Sequence, residues 1–195
     1  MKKFIPATIL VLVSYVNHII SLYVTEINID ENKVPLTDIV HKNFNKIDTK
    51  YTTIAYYFHI LNFMYFALFH CKNKLGLYYR MCYFISFLAI LRCTTLYFTY
   101  YPNARECKDI RIGNYCGDMM FSGHTAMITS TYLAYNDYNR HITNVKKYIQ
   151  LLSCIISIFL IVISRMHYTN DVIISSYITY ITWKYLNLKY PIKKY

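Results

Sequence analysis

The chain has 195 residues, of which 55% are hydrophobic, 18% aromatic and only 16% charged, and its mean hydropathy is +0.22. Soluble domains carry about 25% charged residues, so this composition excludes a disordered tail and an ordinary soluble domain and points to a multipass membrane protein. The net charge of +11 would suggest nucleic acid in a soluble protein, but in an apolar chain it bears on loop placement instead, and no nucleic-acid partner is expected.

At roughly 20 apolar residues per span, the length admits about six transmembrane helices, which predicts an all-α, six-transmembrane-helix bundle forming a single membrane domain over residues 1–195. The first segment, about residues 4–24, follows Lys2 and Lys3 and is long for a signal peptide, with no small-x-small cleavage site after it; it reads as a helix. Segments at about residues 51–70, 81–100, 148–164 and 172–188 are apolar enough to span. The fourth segment, residues 121–135, holds Ser122, His124, Thr125, Thr129, Ser130 and Thr131, and hydropathy alone would leave it as a loop.

Charge restores it. With six spans and a cytoplasmic N-terminus, the inner side collects twelve lysines and arginines opposed only by Asp137, whereas the outer side holds eight basic residues against nine acids. Omitting the fourth span would put Lys146, Lys147 and the basic C-terminus outside, against the positive-inside bias. Both termini are therefore expected in the cytoplasm. Tyrosines such as Tyr97, Tyr100 and Tyr101 suit the headgroup layer. No C-x-x-C pair occurs among the six cysteines; Cys107 and Cys116 share one polar connection and can pair if it faces an oxidising compartment.

In this topology His124 begins span four and His167 precedes span six, so residues 43 positions apart meet at the outer boundary. His18, His41, His59, His70 and His141 read as packing or interfacial residues. Asp171 is four residues after His167, so an early start of span six would place the pair on one helical face. A carboxylate there holds the Nδ1 proton and leaves Nε2 free as nucleophile or base. In the other segment, Gly123 allows close backbone approach to a phosphate, and amides at a helix N-terminus donate to anions. A His, His, Asp set with basic neighbours suits phosphoryl transfer through a phosphohistidine.

Four stretches carry a resemblance: Val34-Pro35-Leu36-Thr37-Asp38, Arg92 to Pro102, Cys116-Gly117-Asp118 with Ser122-Gly123-His124-Thr125, and His167-Tyr168-Thr169 with Asp171-Val172. In this order and six-span setting the chain resembles the sphingomyelin synthase family, within the lipid phosphate phosphatase superfamily. Thr37 stands where that family has a second proline. The resemblance implies a phospholipid:ceramide headgroup phosphotransferase with His167 as nucleophile, Asp171 as its activating partner and His124 as acid and base. Asp118 would belong to the polar site, and Arg165 resembles the phosphate-binding arginine of lipid phosphatases. It further implies that neither metal nor other cofactor is needed, that the partners are a glycerophospholipid donor and a ceramide acceptor, and that the site faces the lumen or outside of the Golgi or plasma membrane. Self-association is left open. The alternative is a lipid phosphatase or phospholipase C type hydrolase delivering the same intermediate to water; a non-enzymatic scaffold or scramblase is a third class.

Overall fold

The computed structural model describes residues 5–30, 34–99, 101–104, 119–139 and 143–191. Asp118, Cys107 and Cys116 lie outside the described residues.

Six long helices and one short one account for most of them: α1 (Ile5–Asp30), the short α2 (Ile39–Asn43), α3 (Thr49–Tyr65), α4 (Lys74–Phe98), α5 (Gly123–Tyr138), α6 (Asn144–Ile163) and α7 (Thr169–Lys189). A π-helical turn, Phe66–His70, prolongs α3. The helix starts follow local capping chemistry. Asp48, Asn73, Ser122 and Thr143 each accept a backbone N–H of the first turn of the helix they precede. Asn73 explains why α4 opens at Lys74, about two turns before the apolar run that marks the span in sequence.

Three helices are long and apolar enough to cross a membrane, Ile5–Ile27, Lys74–Phe98 and Asn144–Ile163, and they mark an integral membrane protein. Their outward residues, including Val11, Leu12, Ile155 and Ile156, are exposed, as expected when lipid rather than water covers them. Of the other three long helices, α3 and α5 are shorter, at 17 and 16 residues, and α5 and α7 turn polar residues inward. Thr125, Ser130 and Thr131 of α5 and Asp171, Ser175 and Thr179 of α7 are buried, so hydropathy counts against two helices whose outer surfaces are not polar. Small hydroxyl residues also let the backbones approach closely and hydrogen-bond within the bundle. α5 is central, packing against α3, α4, α6 and α7, while α1 lies along α4.

One half of the bundle is filled by Phe66, Leu77, Phe84, Leu88, Leu133 and Trp183. At its end Asp137 Oδ2 accepts from Trp183 Nε1 at 2.7 Å and from Asn187 Nδ2 at 2.6 Å, while Arg80 donates to Asn187 and to the Tyr190 carbonyl. Asp137 thus pins α5 to α7. Replacing Asp137 by alanine leaves the fully buried Trp183 indole without its acceptor, and an orphaned buried donor costs about 1–3 kcal/mol. A clear drop in thermal stability in detergent is expected; an unchanged melting temperature would show that the pin contributes nothing.

Candidate active site

The opposite end of the bundle collects residues 34–48, 99, 101–104, 119–123 and 163–169. Two anchors hold the start of α5. Arg92, buried within α4, donates from Nε to the Phe121 carbonyl at 2.9 Å and from Nη1 to Asn17 Oδ1 at 2.8 Å. From α7, Ser175 Oγ accepts from Ser122 N at 2.7 Å and donates to the Asp171 carbonyl at 2.6 Å. The first turn of α5, with His124 as its second residue, is therefore keyed to the helix that carries Asp171. A Cβ added at Gly123 would lie 3.6 Å from Arg92 Nε, an ordinary contact, so packing in this state does not itself demand glycine there.

The α6–α7 turn supplies the second histidine. α6 closes at Ile163, and Arg165 takes φ 58°, with its N–H bonded to Val162 O. Glycine usually occupies this left-handed position after a helix, and a larger side chain costs about 1–2 kcal/mol there. Here the arginine uses the turn to send Nη2 to the His41 carbonyl at 3.2 Å.

His167 follows two residues later and is buried, as is Asp171. The rings of His124 and His167 have centroids 6.5 Å apart, and His167 Nδ1 is 3.6 Å from Asp171 Oδ2. Because α7 begins at Thr169, His167 lies before the helix, and the pair meets across the helix N-terminus rather than along a helical face. Asp171 Oδ2 also accepts the Tyr168 N–H at 3.1 Å. That bond fixes the carboxylate at the positive end of α7. Tyr56 of α3 packs edge-on against His124 with centroids 4.9 Å apart.

Around this pair runs a polar frame that the sequence pattern did not reveal. Asp38 Oδ2 accepts from Thr169 N at 2.7 Å, and Oδ1 accepts from Thr169 Oγ1 at 2.9 Å and from Val40 N at 2.9 Å. One carboxylate therefore caps both α2 and α7. The Tyr168 hydroxyl donates to Pro102 O at 3.0 Å and accepts from Leu36 N at 2.9 Å, joining three loops; burial pushes this phenol up from its ordinary value. His41 donates from Nε2 to Val162 O at 3.0 Å and lies against the Tyr168 ring. The family-like stretch at residues 34–38 thus has a visible task, since Leu36 and Asp38 grip the segment that presents His167. Arg92 was legible as the start of a family-like stretch and as a charge inside a span, a feature that is costly in a membrane and marks function by default.

Burial works against the charge of Asp38, but the bonds from Thr169 and His41 prevail and hold its carboxyl below the ordinary range. A carboxylate whose folded value is lowered contributes stability that is present above its unfolded value, near 4, and is lost as pH falls through the lower folded value. Asp38→Asn should lower thermal stability at neutral pH by about 1.5–3 kcal/mol, the range for hydrogen bonds to charged groups. The difference from the unsubstituted protein should shrink below pH about 4; a gap independent of pH would assign the effect to shape rather than charge.

A cavity of about 550 Å³ opens beside this frame, with Asp38, His41, Lys42, Lys46 and Arg165 among its lining residues. Neither His124 nor His167 lies on its wall.

Residues 115–188, which contain both histidines and Asp171, match the family described as PAP2 superfamily C-terminal. Phosphatidylinositol:ceramide inositolphosphotransferase of Trypanosoma cruzi is 41% identical over 69 residues, covering 35% of this chain and 21% of that protein. Human phosphatidylcholine:ceramide cholinephosphotransferase 1 is 41% identical over 66 residues, 34% of this chain and 16% of the relative. The human cholinephosphotransferase 2 is 34% identical over 128 aligned positions, 51% of this chain and 35% of the relative. The matched part of the chain spans well under half the length of these relatives. The C-terminal part of the chain is thus similar to the PAP2 superfamily, and the named relatives support a likeness to the sphingomyelin synthase family.

Proposed function

We propose that this protein transfers the phosphorylated headgroup of a glycerophospholipid to ceramide. The observation that carries the reading is the convergence of His124 and His167, ring centroids 6.5 Å apart, with buried Asp171 beside Nδ1 of His167. The names of the relatives, all ceramide phosphotransferases, agree with it.

His167 Nε2 attacks phosphorus, the bond from phosphorus to the glycerol oxygen breaks, and diacylglycerol leaves with a proton from His124. The primary hydroxyl of ceramide then gives its proton to His124 and attacks phosphorus, and the bond to His167 breaks. Asp171 holds the Nδ1 proton and stabilises the positive imidazole. His124 serves as acid in the first half and base in the second. Asp118 belongs to the polar surroundings of the site and Arg165 to phosphate binding. The site faces the lumen or the exterior, with both termini cytoplasmic, in a Golgi or plasma membrane.

The test is a transfer assay on membranes containing the protein, with fluorescent ceramide and phosphatidylcholine, phosphatidylethanolamine or phosphatidylinositol, and His167→Ala as blank. A new phosphosphingolipid absent from the blank is the expected result and identifies the donor headgroup. Diacylglycerol release indifferent to ceramide would replace this reading by a hydrolase.

A further inference from the structure

The 550 Å³ cavity on the α2 side of the frame meets the chemistry above only at Arg165, and its composition is specific. Among the described residues its wall carries Lys42, Lys46, Arg165 and His41, and only one carboxylate, Asp38. That carboxylate is already engaged by Thr169, Val40 and His41. Neither lysine has a carboxylate partner among the described residues, and Arg165 Nε is buried with no hydrogen-bond partner. Two exposed ammonium groups and a guanidinium held by the His41 carbonyl, around one committed anion, make an anion receptor, and guanidinium with ammonium groups suits phosphate oxygens.

The surroundings decide the source of that phosphate. Val34, Ile39 and Phe44, which flank the cavity on α2 and the residues around it, are 82%, 72% and 50% exposed. The segment therefore combines large uncovered apolar side chains with lysines, at the end of a bundle whose sides are lipid-facing. This is the pattern of a segment lying in a membrane interface, apolar groups toward the acyl chains and lysines at headgroup level.

We infer that the α2 cavity is a phospholipid-binding site, holding a lipid phosphate between Lys42, Lys46 and Arg165 with the acyl chains along the apolar face of α2. This site is distinct from the histidine pair and does not depend on the transfer reading.

The test uses full-length His167→Ala protein, so that a failure of the transfer chemistry leaves the readout intact. It is placed in phosphatidylcholine nanodiscs containing a trace of phosphatidylcholine with a photoreactive group near the glycerol end of an acyl chain. Labelling of residues 34–46 is expected, and Lys42→Glu with Lys46→Glu should reduce it about tenfold or more, while labelling of the lipid-facing α6 stays level. Lys42→Gln with Lys46→Gln provides a milder variant, expected to give an intermediate loss. Unchanged labelling of residues 34–46 in both variants would overturn the inference, as would an equal loss on α6, which would mean altered lipid contact everywhere. If the lipid leaves residues 34–46 unlabelled while inorganic phosphate shields Lys42 and Lys46 from acylation, the pocket takes free phosphate and the lipid assignment fails.

Discussion

His167→Ala should abolish headgroup transfer, by about 10⁴-fold or more, because removing a nucleophile that forms the covalent intermediate leaves only binding and positioning. The fold should tolerate it. His167 precedes α7 rather than lying within it, and the turn that carries it is held by Tyr168, Thr169 and Arg165 through other bonds. The diagnostic measurement is capture of label on protein from a phospholipid with a radioactive phosphate, quenched before ceramide is added. Label should appear on the unsubstituted chain and be missing from the variant. A variant that is normally folded, still transfers headgroups and still captures label would place the nucleophile elsewhere.

Asp171→Asn is expected to slow transfer by about 10²- to 10⁴-fold with little loss of stability. The asparagine Oδ1 can still accept the Tyr168 N–H, so the N-terminus of α7 stays capped. The oxygen that accepts this N–H is also the one that faces Nδ1 of His167, so asparagine keeps both the cap and an acceptor beside Nδ1 but loses the negative charge that offsets the imidazolium. The loss should appear in the rate of label capture, not in the affinity for lipid. A variant with normal capture and a raised KM would mean that Asp171 binds substrate instead of orienting His167.

The bundle and the histidine pair were legible in the sequence for different reasons. Apolar runs marked α1, α3, α4, α6 and α7 outright, whereas α5 needed the charge bias, because its buried threonines and serines depress its hydropathy. His124 and His167 were found because topology brings two sequence segments to one boundary. The relation of His167 to Asp171 was misjudged in detail, since spacing of four residues suggests a helical face and the helix in fact begins between them. The frame was not legible. No pattern says that Asp38 will reach Thr169 131 residues away, or that a tyrosine will tie residues 36, 102 and 168 together, because those contacts depend on how loops cross at the end of the bundle. Arg165 was singled out for phosphate, but its left-handed backbone was hidden, since a helix stop ordinarily carries glycine there.

The Asp137 bond to Trp183 has a mechanical meaning for the distant histidines. It fastens α5 to α7 at the end away from the site, and at 1.5 Å per residue the thirteen-residue run back to His124 is a lever arm of about 20 Å. With the far end fixed, moving His124 by 1 Å relative to α7 requires a tilt of only about three degrees. The Ser122 N–H bond to Ser175 fastens the near end as well, so the gap between the two histidines is set by two bonds at opposite ends of one helix, and loss of either would release that tilt.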